Sequence, residues 1–130
     1  MELREIGQTG IGVTPISMGC WPIAGISSVQ VTEEASRATL RAAFDAGINC
    51  FDTAYGYGFA GESESLIGDV LGADRDQIVI CTKGGLAWDS NRERIIDGSR
   101  QTLWRHCEES LRRLKTDRID LYYLHAPDPH

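Results

Sequence analysis

From residue 16 to residue 124 the sequence alternates strand-like and helical segments joined by short connections, and this alternation restricts the possible folds more than any other feature. Ile16-Ser17-Met18-Gly19-Cys20-Trp21 follows Pro15 as a short strand running into a glycine-bearing loop. Thr32 caps a predicted helix with Glu33 and Glu34 in its first turn; Ala35, Ala38, Ala42 and Ala46 recur at helical spacing before Gly47 ends it. Ile48 to Thr53 follows as a strand. Leu66, Ile67, Val70 and Leu71 make one apolar face of a second helix closed by Gly72, and Gln77 to Thr82 is a β-branched strand. A third helix is expected to start near Ser99, with Leu103, Cys107, Leu111 and Leu114 as its buried face, and Ile119 to Leu124 is the next strand. Such an order implies a parallel sheet with right-handed crossovers. The pattern alone fits part of a (β/α)8 barrel of TIM type and an open doubly wound sheet equally well.

Two features frame this core. Ahead of it, Glu2 to Ile6 and Ile11 to Thr14 read as a hairpin around Gln8-Thr9-Gly10. A closed eight-unit barrel takes about 250 residues, and this sequence has 130, so one copy is expected to supply only part of one. No linker, repeat or low-complexity tract divides residues 1–130, which read as one domain. The N-terminus lacks the apolar stretch of a secretory signal, no apolar run approaches a membrane span, and a cytoplasmic location is expected. A net charge of −6 argues against a general nucleic-acid surface, which needs clustered cations. Cys20, Cys50, Cys81 and Cys107 have no C-x-x-C spacing and sit in apolar stretches, as buried thiols do.

Chemistry is sought at the carboxyl ends of the strands, where both fold types build their sites. Asp52 and Tyr57 follow the second strand, Lys83 the third and His125 the fourth. Singly, each has an ordinary explanation: Asp52 satisfying a turn, Tyr57 a half-buried aromatic, Lys83 a solvated cation, His125 an end-of-strand histidine. Together they suit carbonyl reduction. Hydride addition leaves negative charge on oxygen, so a proton donor must stand beside it. A free tyrosine titrates near 10, and a neighbouring ammonium held by a carboxylate favours its phenolate. Lys83 and Asp52 can fill those two roles, and His125 can orient the carbonyl.

Phe51-Asp52-Thr53-Ala54-Tyr55-Gly56-Tyr57-Gly58 resembles the aldo-keto reductase signature of Asp-Thr-Ala followed two residues later by Tyr-Gly. Gly61-Glu62-Ser63-Glu64 with Ile67-Gly68, Ile80-Cys81-Thr82-Lys83, Ser110-Leu111 through Arg113-Leu114 with Asp117 to Asp120, and Leu124-His125-Ala126-Pro127-Asp128-Pro129 resemble later segments in the same order. The closer likeness is to bacterial inositol-locus and stress-protein reductases and to potassium-channel β-subunits. The resemblance implies about the first four β/α units of a TIM barrel plus the hairpin that plugs its floor. It also implies an NADPH-dependent oxidoreductase with Tyr57 as general acid, Lys83 and Asp52 tuning it, and His125 orienting an aldehyde or ketone. The loop at Cys20 and Trp21, together with Asp52, is then expected to meet the nicotinamide. Cys20 stands where the family usually has threonine, which leaves its backbone as the expected contact, and Gln30 corresponds to a further coenzyme contact.

Three competing readings bear on this. Gly56-Tyr57-Gly58-Phe59-Ala60-Gly61 fits G-x-G-x-x-G between a strand and a helix, but it follows the second strand, and no acid lies some twenty residues on to hold a ribose. A metal site is disfavoured: the histidines are His106, His125 and His130, without H-x-H or H-E-x-x-H, and His106 is expected on the third helix, away from the strand ends. The third reading is a non-catalytic half-barrel or binding subunit. Its open first and fourth strands would favour self-association or pairing with a C-terminal-half partner. In the family the later strands supply most coenzyme-phosphate contacts and specificity loops, so no particular carbonyl substrate is implied.

Overall fold

The computed structural model describes residues 1–27 and 30–129. Strands β1 (Arg4–Glu5) and β2 (Gly12–Val13) form an antiparallel hairpin. The main sheet is parallel, in the order β3 (Met18–Gly19), β4 (Cys50–Asp52), β5 (Val79–Gly84), β8 (Leu121–Leu124). Helices α1 (Glu33–Asp45), α2 (Glu62–Leu71) and α3 (Arg100–Leu114) make the crossovers. The predicted caps are in place: Thr32 accepts from the Ala35 amide and Ser99 from that of Thr102, each satisfying a donor of the first helical turn.

Strand alternation sorts the residues into two layers. Phe51 and Ile80 point outward and are buried with Leu40, Leu66, Ile67, Leu71 and Leu114 in the core between sheet and helices. Cys50, Val79 and Cys81 point the other way and are packed by Ile11, Val13 and Leu121, so the hairpin covers the floor of the inner face. Asn49 locks the hairpin there, accepting from the Thr14 amide at 2.8 Å and donating to the Gly12 carbonyl at 2.9 Å. The carboxyl ends of the strands lie on the opposite rim.

Two expectations need correction, and two details lay outside the sequence reading. Gly72 is the C-cap of α2, as expected, but its backbone is right-handed helical rather than left-handed, and the chain continues as a 3-10 turn from Gly72 to Gln77. The segment past β5, for which no element is predicted, holds a second hairpin. Strands β6 (Leu86–Trp88) and β7 (Arg94–Ile96) pair antiparallel over the rim, and Arg92 takes the left-handed turn position at φ 63°. The expected buried face of α3 is only part of the truth: Thr102, His106, Ser110 and Leu114 face the interior, while Leu103, Cys107 and Leu111 are half-buried. His106 is not remote from the strand ends either, because its Nδ1 accepts the amide of Gly85, just past β5, at 3.1 Å.

Candidate active site

Backbone bonds place the four strand-end residues. The Thr53 amide donates to Cys81 O and the Tyr55 amide to Lys83 O, so β4 continues alongside β5 past its formal end. The chain then turns, with the Tyr57 amide on Ala54 O and the Ser63 amide on Tyr57 O, which sets Tyr57 above the rim. The His125 amide on Gly84 O extends β8 by one residue and aims the ring to the same side as Lys83.

Asp52, Tyr57, Lys83 and His125 meet there. Lys83 Nζ donates to Asp52 Oδ1 at 2.6 Å, to the Thr53 carbonyl at 2.8 Å and to the Tyr57 hydroxyl at 3.2 Å. All three ammonium protons are therefore committed. Burial alone would lower the Lys83 pKa, but the hydrogen bonds to Asp52 and Tyr57 outweigh it and hold the group above its ordinary value. The Tyr57 ring lies edge-on to His125 with centroids 5.6 Å apart and edge-on to Trp21 at 5.2 Å. Burial, then the charges of Lys83 and Arg94, push the His125 pKa down against the opposing pull of Asp52, which keeps the imidazole neutral near neutral pH.

Tyr55, two residues from Tyr57, is placed for a different job. Its hydroxyl bonds Glu109, its ring stacks on His106 with centroids 3.6 Å apart, and Arg113 covers the ring at 4.2 Å. Burial and Glu109 push its pKa up, so it holds its proton at neutral pH. Arg113 also donates to the Tyr55 carbonyl and to Glu64, whose side chain is fully buried and accepts from Thr82. This network ties the loop carrying Tyr57 to α2 and α3.

The expected coenzyme contacts divide. Trp21 is half-buried and lines a cleft of about 340 Å³ together with Gly56, Tyr57, Leu86, Trp88, Arg94, His125 and Ala126. Cys20 is wholly buried: its amide donates to Asp52 O, its carbonyl accepts from Ser63, and its thiol, pushed up to about 12 by burial, donates to Met18 O. Cys20 thus has no exposed surface and lies outside the lining of this cleft. Gln30 is exposed and lies outside the lining of this cleft. Leu86, Trp88 and Arg94, which sequence reading missed, all come from the unexpected hairpin. Its signal was present: two short runs of β-formers flank Asp89-Ser90-Asn91-Arg92, a turn-forming segment.

The Aldo/keto reductase family model matches residues 15–130. The chain belongs to that family. Aldo-keto reductase YhdN of Bacillus subtilis (strain 168) is 41% identical over 131 residues, 99% of this chain and 39% of its own length. The 6-dehydroglucose reductase of Novosphingobium aromaticivorans is 38% identical over 133 residues, 96% of this chain and 41% of its own length. Among solved structures, aldo-keto reductase AKR11C1 from Bacillus halodurans (holo form) superimposes with a TM-score of 0.86 at 32% identity, covering 98% of this chain and 41% of that one. The chain thus spans about two fifths of these relatives, and its sheet is the first part of a TIM barrel rather than an open doubly wound sheet.

In this aldo-keto reductase fold the glycine run at Gly56, Gly58 and Gly61 is structural. A Cβ on Gly56 would sit 2.9 Å from the Leu86 carbonyl, and Gly61, at φ 79°, starts α2 beneath the Arg113 guanidinium. With Glu62 and Glu64 in its first turn, α2 begins on negative charge, a poor setting for a coenzyme phosphate.

Proposed function

We propose that this chain supplies the proton-donating part of an NADPH-dependent carbonyl reductase. The observation that carries this is the single ammonium of Lys83, bonded at once to Asp52 and to the Tyr57 hydroxyl. An aldehyde or ketone enters the cleft with its oxygen toward Tyr57. NADPH, when bound, supplies the hydride. As the carbonyl oxygen gains negative charge, Tyr57 passes it a proton, and the phenolate left behind lies against the Lys83 ammonium until solvent returns the proton. His125, neutral and with its ring edge toward Tyr57, orients the carbonyl oxygen by a hydrogen bond.

The residues present fit one end of the coenzyme. Trp21 lines the cleft beside Tyr57 and Asp52 bonds Lys83 at its edge, where a nicotinamide ring would lie, whereas among the described residues Arg94 is the one arginine or lysine lining the cleft, too little for a pyrophosphate and a 2′-phosphate. We assign those contacts to the part of the barrel that the longer relatives have beyond the matched region.

A second reading concerns partners and rests on α3 and β8. Leu103, Trp104, Cys107 and Tyr122 line an apolar surface, Trp104 is 66% exposed, and β8 ends the sheet with Leu124 51% exposed. That surface suits the next β/α unit of the same fold, from a continuing polypeptide or a second chain.

The test is turnover in the full polypeptide in which this chain occurs, or in the chain joined to the C-terminal part of a relative such as YhdN. Tyr57→Phe should cut NADPH-dependent aldehyde reduction by about 100-fold or more while coenzyme binding is retained. Tyr55→Phe should leave turnover within a few-fold. The reverse pattern would assign the acid to Tyr55.

A further inference from the structure

The cleft beside Tyr57 carries a cation that the proton-transfer chemistry does not use. Arg94 lies in β7, directly opposite Trp88 of β6. It lines the same cleft as Tyr57 and His125, is exposed, and forms no ion pair among the described residues. Arg37, Arg41, Arg75, Arg113 and Arg118 are each engaged by a carboxylate, and of the arginines that are not, Arg94 is the one that lines this cleft. Position is also fixed from beneath. The Trp88 indole N–H donates to the Gly56 carbonyl at 2.8 Å and its ring meets Phe59 edge-on at 5.3 Å, so the β6–β7 hairpin is fastened to the loop that carries Tyr57. Arg94 is thus presented from a tethered strand, and its charge is felt at His125.

The rest of the wall is apolar or aromatic: Trp21, Leu86, Trp88 and Ala126 lie around the phenol and the imidazole. A ligand matching this lining has a carbonyl at the Tyr57 and His125 end, a short apolar middle, and one negative group for the guanidinium. A carboxylate fits that single cation, because a planar guanidinium pairs with it through two parallel hydrogen bonds. A doubly charged phosphate ester would call for further donors that the lining lacks. We infer that Arg94 is a specificity-determining residue, and that the cleft takes short aldehydes or ketones bearing a carboxylate, the oxo-acids, in preference to neutral carbonyl compounds. This rests on the carbonyl-reductase reading proposed above.

Kinetics on the full polypeptide in which this chain occurs provide the test, with 4-oxobutanoate and the uncharged pentanal as substrates. The preference for 4-oxobutanoate, as a ratio of kcat/KM values, should fall by about tenfold to hundredfold in Arg94→Gln, mainly through KM, and recover in part in Arg94→Lys. A ratio that stays within about twofold of wild type overturns the assignment. If neither aldehyde is reduced by the wild type, the reductase reading has failed, and binding then decides the Arg94 assignment separately. Succinate should shift the His125 ring proton resonances saturably in the wild type and at least about tenfold more weakly in Arg94→Gln. Equal shifts in both proteins, or none in the wild type, would refute a carboxylate site at Arg94.

Discussion

Replacing Arg113 with methionine should cost about 4 kcal/mol of stability, because it strands a buried carboxylate. Glu64 has no exposed surface, and its two recorded partners are Thr82 at 2.6 Å and Arg113 at 3.2 Å. Removing one partner of a buried pair costs about 3–5 kcal/mol, most of it the desolvation of the charge left behind. Loss of the bond to the Tyr55 carbonyl and of the cation over the Tyr55 ring at 4.2 Å adds to this, though not additively. Against a total of about 5–15 kcal/mol, that is a large share. Urea unfolding followed by far-UV circular dichroism should show the midpoint falling by about 2 M. Adding Glu64→Gln should restore at least half of the loss, since the amide oxygen still accepts from Thr82 and no charge remains buried. A single-variant loss under about 1 kcal/mol, or no rescue by the second substitution, would refute the account of Glu64 as a paired buried charge.

Two further outcomes follow from the site. Burial pushes the pKa values of His106 and His125 down, so the unfolded chain takes up protons at these rings first. Stability should therefore hold above about pH 6.5 and decline as pH falls from there toward the depressed native values, with a shallower decline in His125→Gln; urea midpoints across that range check it. NADPH should show no saturable binding to residues 1–130 alone below millimolar concentration, since several charge-assisted phosphate bonds of about 1.5–3 kcal/mol each are missing. A fluorescence titration giving a micromolar dissociation constant would contradict that.

The parts of the site that could be read from the sequence are those governed by period and position. Asp52, Lys83 and His125 each fall at a strand end, and a two-residue period puts Asp52 and Lys83 on the side away from Phe51 and Ile80. Charge burial was not legible. Glu64 in the first turn of α2 and Arg113 in the last turn of α3 occupy the positions that the helix dipole favours for exposed charges, so nothing local marks them as a core pair. The α3 face failed for a related reason. Leu103, Cys107 and Leu111 mark one apolar stripe, but Thr102, His106 and Ser110 turn inward, because loop backbone at Gly85 and the ring of Tyr55 need partners there.

That inversion bears on how the acid site relates to the barrel. In an ordinary crossover the apolar stripe of the helix faces its own sheet; here Thr102, His106 and Ser110 are buried beside Leu114, while Leu103, Trp104 and Cys107 line an apolar surface with Tyr122 of β8. The polar stripe stiffens the rim, since His106 holds both the amide after β5 and the Tyr55 ring two residues before Tyr57. The apolar stripe is left for whatever packs beyond β8. The arrangement of Asp52, Tyr57, Lys83 and His125 therefore draws on three adjacent strands, β4, β5 and β8, and on contacts among the described residues. In a longer barrel chain built on this one, removing the later strands should for that reason leave the Asp52, Lys83 and Tyr57 arrangement intact, because none of the bonds found among the described residues at those three positions crosses the open edge.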